Sequence, residues 1–230
     1  MAERKMDFEL ATKELLIKWL AGIPFLEKEE KRMLFEIGCR FKNKMETLYQ
    51  IYGAIAAGDE HFCDSERSIT YERKKSNELL TCNGETLVLD EGQLKTVLTG
   101  IIDIMEHVLP LGSVVDLKKD FLKNVIGNTD KVENFRVVIT DRFFYQKGDR
   151  LYFPYAGVLY PIGVFQKQDR LNFTSAVIEN VIHEGYSDQQ EEAYVFLMKQ
   201  ELILENGMHS FGFSTEEERK EYQKKRSVQK

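Results

Sequence analysis

The stretch Leu109-Pro110-Leu111-Gly112-Ser113-Val114-Val115-Asp116-Leu117 marks the point where the hydrophobic period of this chain changes. Before it, apolar residues recur every three or four positions, which is the spacing of one helix face. After it come β-branched and aromatic runs punctuated by glycine and proline, the composition of strands and turns. The stretch begins a segment reaching to Tyr186 that holds three of the four prolines.

Within that segment Ser113 to Leu117 reads as a short strand, and Phe135-Arg136-Val137-Val138-Ile139-Thr140 as a second. Gln146-Lys147-Gly148-Asp149 reads as a hairpin turn, with Arg150 to Tyr155 returning. Residues 118–131 read as an irregular insertion around Gly127-Asn128. Gly157 to Val164 is a further extended piece, which Pro161 confines to an edge or a turn because proline has no N–H for a ladder. Gly157 and Gly163 suit positive φ or close backbone approach. Ser175 to Asn180 reads as a short helix and Val181 to Tyr186 as a last strand. Asp188 then caps a helix over 189–204 whose inner face is Ala193, Tyr194, Leu197, Met198 and Leu202.

Upstream, Phe8, Ala11, Leu15 and Trp19 predict a helix over 7–20, ended by Gly22 and Pro24. Leu34, Ile37, Phe41, Met45, Leu48, Tyr52 and Ile55 predict one long helix over 27–57. At 1.5 Å per residue it would span about 45 Å. Residues 58–84 read as a polar, partly helical connection with a turn at Asn83-Gly84, followed by a short strand Thr86 to Leu89. Leu94, Val97, Leu98, Ile101, Met105 and Val108 predict a helix over 91–108, stopped by Pro110. The tail from Ser214 to Lys230 is almost wholly polar and is expected to fray in isolation. The fold class is therefore α+β: a helical N-terminal region (1–108), a small antiparallel sheet with flanking helices (109–205), and a flexible polar tail (206–230).

A net charge of −6 argues against general nucleic-acid binding, which needs a basic face to displace counterions. No apolar run is long enough to span a bilayer, and the charged start lacks the apolar core of a signal peptide, so a cytoplasmic location is expected. Cys39, Cys63 and Cys82 are odd in number and widely spaced, so they indicate neither disulfides nor a zinc site. His61, His107, His183 and His209 make no metal-ligand spacing. His183 and Glu184, adjacent on a strand, point to opposite faces and would not share a site. No catalytic residue, cofactor or metal is expected.

The block Leu109 to Val115, the later Tyr155-Ala156-Gly157-Val158-Leu159-Tyr160-Pro161-Ile162-Gly163 and the closing Val181-Ile182-His183-Glu184-Gly185-Tyr186 resemble a small bacterial family, the domain of unknown function numbered forty-one seventy-six. The resemblance covers roughly residues 105–205. It implies a setting in type VII secretion clusters of Gram-positive bacteria, beside toxins with an LXG domain. It implies no enzymatic activity and brings no catalytic residues.

The feature above background is aromatic: Phe143, Phe144, Tyr145, Tyr152, Phe153, Tyr155, Tyr160 and Phe165, with Arg142 and Arg150 nearby. Aromatics with arginines are common at binding hot spots. The candidate protein-binding residues are Phe41, Met45 and Tyr52 on the long helical stripe, and Arg142, Phe144, Tyr152, Tyr155 and Tyr160 on the sheet. The expected function is a non-enzymatic accessory, chaperone-like or targeting factor that binds a secreted toxin, or its helical LXG domain with small helical co-factors. The alternatives are an immunity protein that blocks a toxin domain and, from another class, an unrecognised enzyme.

Overall fold

The computed structural model describes residues 7–121, 135–164 and 170–227. The insertion around Gly127-Asn128 and the aromatic Phe165 lie outside the described residues. The chain is α+β and divides into two compact units, 1–107 with 199–205, and 108–198 with 206–230.

The first unit opens with α1 (Phe8–Ala21), α2 (Lys28–Phe41) and α3 (Met45–Ala57). The Asp7 carboxylate starts α1 by accepting from the Leu10 N–H at 3.1 Å, one of the orphan donors of a first turn. The long helix expected over 27–57 is two helices, broken at Lys42-Asn43-Lys44, where Lys44 leaves helical geometry at φ −146°. The stripe conceals the break because Phe41 and Met45 keep their four-residue spacing across it. Folding back lets α2 and α3 both reach the next helix, α4 (Glu91–Met105), which a straight rod could not do. Leu34, Ile37, Leu48, Ile51, Leu94 and Ile101 are fully buried as a result.

The polar connection over 58–84 is also corrected. It is an antiparallel meander of β1 (His61–Asp64), β2 (Ile69–Lys74), β3 (Asn77–Cys82) and β4 (Glu85–Leu89). One face carries Ile69, Tyr71, Leu80, Cys82, Leu87 and Leu89, all buried; the other carries Thr70, Glu72, Thr81 and Thr86. A one-faced sheet looks polar when read for helical period, because only every second residue is apolar. The Asn83-Gly84 turn has positive φ at both residues, the geometry that joins twisted strands. Inside the sheet, the Tyr71 hydroxyl donates to buried Glu78 at 2.7 Å and Arg73 donates to the same carboxylate at 2.9 Å. Burial and the Glu78 carboxylate push the Tyr71 phenol up to about 12.

Two contacts close this unit. Trp19 lies on the notch of Gly100, where an added Cβ would fall 2.0 Å from its ring. Lys199, 4% exposed, donates to the carbonyls of Ile104 at 2.8 Å and Glu106 at 2.6 Å. A cation is thus placed at the C-terminal end of α4, where the macrodipole is negative. Burial pushes the ammonium down to about 8.

The second unit carries β5 (Val114–Leu117), β6 (Arg136–Phe144), β7 (Leu151–Leu159), β8 (Arg170–Phe173) and β9 (Ile178–His183). The strand order is β10-β7-β6-β5-β9, where β10 (His209–Ser210) runs parallel to β7 and β8 also pairs with β7. Its core is Leu109, Val115, Leu117, Phe135, Val137, Ile139, Tyr155 and Phe173. The short helix expected over 175–180 is a single 3-10 turn at Ser175–Val177 leading into β9. Helix α5 (Gln189–Lys199) continues as a π-helical stretch through Glu205. Within the polar tail, α6 (Glu216–Ser227) begins with Thr215 and Glu218 exchanging hydrogen bonds. Its Tyr222 packs edge-on against Phe211 at 5.3 Å and Phe153 at 5.8 Å, and a single aromatic anchors an otherwise polar helix.

Gly100→Ala is expected to destabilise the protein by about 1–3 kcal/mol in urea unfolding, since the added carbon must displace an indole. On Lys199 alone, stability is expected to rise above pH 8, because the unfolded chain still binds the proton that the buried amine releases. Lys199→Met should abolish that slope when unfolding is measured on either side of that pH.

Candidate protein-binding surface

Besides the β5–β9 strand pairing, the three motif blocks are joined by two side-chain hydrogen bonds and one close backbone approach. The buried Ser113 hydroxyl donates to the Pro110 carbonyl at 2.8 Å and accepts from the Gly185 N–H at 2.9 Å. The Leu109 N–H donates to the Tyr155 hydroxyl at 3.0 Å. A Cβ on Gly185 would lie 2.1 Å from the Leu111 carbonyl oxygen, so only glycine lets these backbones touch. Gly157 is likewise excluded from bearing a side chain by Val137 and the Val138 carbonyl, both 2.5 Å from its Cβ position. Gly163 turns the chain at φ 73°. No phosphate cradle is formed, because these glycines join strands and turns rather than a strand to a helix N-terminus.

Residues 108–194 match the family model described as Domain of unknown function (DUF4176). The match contains all three motif blocks. No curated protein and no solved structure matches the chain. In the DUF4176 segment, then, Ser113, Tyr155, Gly157 and Gly185 have an internal explanation: they hold the sheet together.

Other motif side chains have none. Tyr160 is 55% exposed, and Ile162, Val181, Ile182 and Tyr186 are exposed with it. Val181 and Ile182 lie on β9, which ends the sheet order and pairs only with β5 among the described residues. Sheet edges of this kind present unpaired backbone groups to other chains. Two register shifts against β5 bend β9 and turn consecutive side chains outward.

Of the residues singled out from sequence, Tyr160 alone is openly exposed. Phe41, Met45, Tyr152 and Tyr155 are 1%, 7%, 2% and 1% exposed. Phe41 and Met45 sit at the α2–α3 break, Tyr155 stacks on Phe173, and Tyr152 packs on Phe143. Tyr52 and Phe144 are half-buried. Arg142 is buried as well, bidentate to Glu191 at the start of α5 and 5.2 Å from the Tyr194 ring. It therefore docks α5 on the sheet. Tyr194, read as inward-facing, does meet the sheet through Arg142 and Phe143 while remaining 42% exposed; Leu197, read the same way, is 59% exposed.

Among the described residues no group of three His, Cys, Asp or Glu is placed to hold a metal ion, and no helix is long and apolar enough to cross a membrane.

Ser113→Ala leaves the half-buried Gly185 N–H without its acceptor. It is expected to cost about 1 kcal/mol in urea unfolding, and to speed amide exchange at Gly185 more than along β9.

Proposed function

We propose that this chain is a non-enzymatic binding protein, acting in the cytoplasm as an accessory, chaperone-like or targeting factor for an LXG-type toxin of type VII secretion. The supporting observation is the division of labour within the motif blocks. Their glycines, Ser113 and Tyr155 are used up in folding, while Tyr160, Val181, Ile182 and Tyr186 face solvent. Clustered exposed apolar side chains are a recurrent mark of protein-interaction sites. The resemblance to the family supplies the secretion setting.

The test is co-expression with an LXG-type toxin from the same genome, split into its N-terminal helical half and its C-terminal toxic half. Affinity purification is expected to recover the chain with the helical half. Ile182→Ser with Tyr186→Ser should weaken capture about tenfold, equivalent to about 1.4 kcal/mol, with little change in melting temperature. Recovery with the toxic half and rescue of growth would make the chain an immunity protein instead. Recovery with neither half would overturn the reading.

A further inference from the structure

Helix α1 packs on α2, α4 and the π-helical stretch Gln200–Glu205, all within the first unit. Leu15, Leu16 and Leu20 form its buried side. The opposite arc is not purely polar. Leu10 and Ile17 are 55% and 51% exposed, and Ala21 is exposed in line with them. Spacings of seven and then four residues place these three on one stripe along the helix. Glu14 falls on the same stripe and Lys18 beside it. Both are exposed, and neither has an ion-pair partner among the described residues.

Beside this stripe, α1 and α2 leave a cleft of about 240 Å³ lined by Ile17, Leu20, Ala21, Phe35, Lys31 and Arg32. Its two cations are already occupied. Lys31 donates to the Ala21 carbonyl at 3.3 Å, and Arg32 is shared by Glu29 at 3.0 Å and by Glu36 and Glu85 at 2.7 Å. What remains is apolar space next to an unmatched glutamate and an unmatched lysine. A cavity of about 150 Å³ takes a group the size of benzene, so this one has room for a leucine side chain.

The stripe is complementary to itself. Laid antiparallel on a second α1, about a two-fold axis at the level of Leu16, Glu14 of each copy faces Lys18 of the other. The same operation sets Leu10 over Ala21 of the second copy, a large side chain over a small one at the cleft, and brings the two Ile17 side chains together across the axis. We infer that the exposed face of α1 is an interface with a second copy of this chain, paired antiparallel, with Leu10 of each copy seated at the α1–α2 cleft of the other. Such a contact uses one patch twice. Apolar contact supplies the affinity, and the two charge pairs fix direction and register, since a parallel pairing would set Glu14 against Glu14. About 16 Å of helix takes part, at 1.5 Å per residue, so the contact belongs to the small, reversible class. It rests on no part of the toxin reading.

The test is sedimentation of the full chain over a concentration series from about 1 µM to about 1 mM. The average mass is expected to rise from that of one chain towards that of two. Leu10→Ser with Ile17→Ser should weaken self-association about tenfold. Glu14→Lys and Lys18→Glu should each weaken it several-fold, because each sets like charges opposite one another. The two changes combined restore the opposite-charge pairs and should restore association. Far-UV circular dichroism and a melting temperature little changed from wild type certify the variants as folded, all four positions being exposed. The interface is overturned if the chain stays a single copy throughout the series, or if Leu10→Ser with Ile17→Ser associates as the wild type does. The antiparallel register is overturned if the combined charge exchange associates no better than either single change.

Discussion

The second unit depends on one hydroxyl. Ser113 sits at the start of β5 and joins the Pro110 carbonyl to the Gly185 N–H. Two turns that are 72 residues apart in sequence are thereby satisfied by a single side chain. A backbone N–H shielded from water needs a partner, and the group that supplies it to half-buried Gly185 is small enough to fit where Gly185 brings two backbones into contact. Because β9 pairs with β5 at the end of the order β10-β7-β6-β5-β9, the position of this turn sets where β9 lies against it. The Tyr155 hydroxyl plays the matching part for Leu109, tying the entry of the domain to β7.

Much of the architecture could be read from the chain because the relevant signals are local. Asp7, Asp90 and Asp188 cap α1, α4 and α5, and each stands directly before its helix. The Gln146–Asp149 turn and the β-branched run from Arg136 announce the β6–β7 hairpin. What escaped was of two kinds. The β1–β4 meander was hidden because half of each strand faces water, so that Thr70, Glu72 and Thr81 dilute the apolar signal of Ile69, Tyr71 and Leu80. The α2–α3 break was hidden because periodicity is blind to a turn that preserves phase.

The surface was less legible than the fold, for a physical reason. A period in the sequence records which residues are kept from water, not what keeps them from it. Phe41 and Tyr155 carry the same signal as Leu197, yet the first two are enclosed by their own chain and the third is open. Arg142 shows the converse: a charged residue on a strand, expected at an interface, is held inside by Glu191 and the Tyr194 ring. Separating internal from external cover required the three-dimensional packing of α5 against β6.

The two units also interleave along the sequence. Residues 199–205 belong with the first unit although they follow most of the second. The C-terminal carbonyls of α4 accordingly wait for Lys199, nearly a hundred residues later in synthesis. During translation domains generally fold as units from the N-terminus, but here the first unit stays incomplete at α4 until the strands of the second have been made. A ribosome pausing anywhere between Val108 and Met198 would therefore hold out a helical bundle that lacks its last segment. The natural order of assembly is one in which both units close together, near the end of elongation.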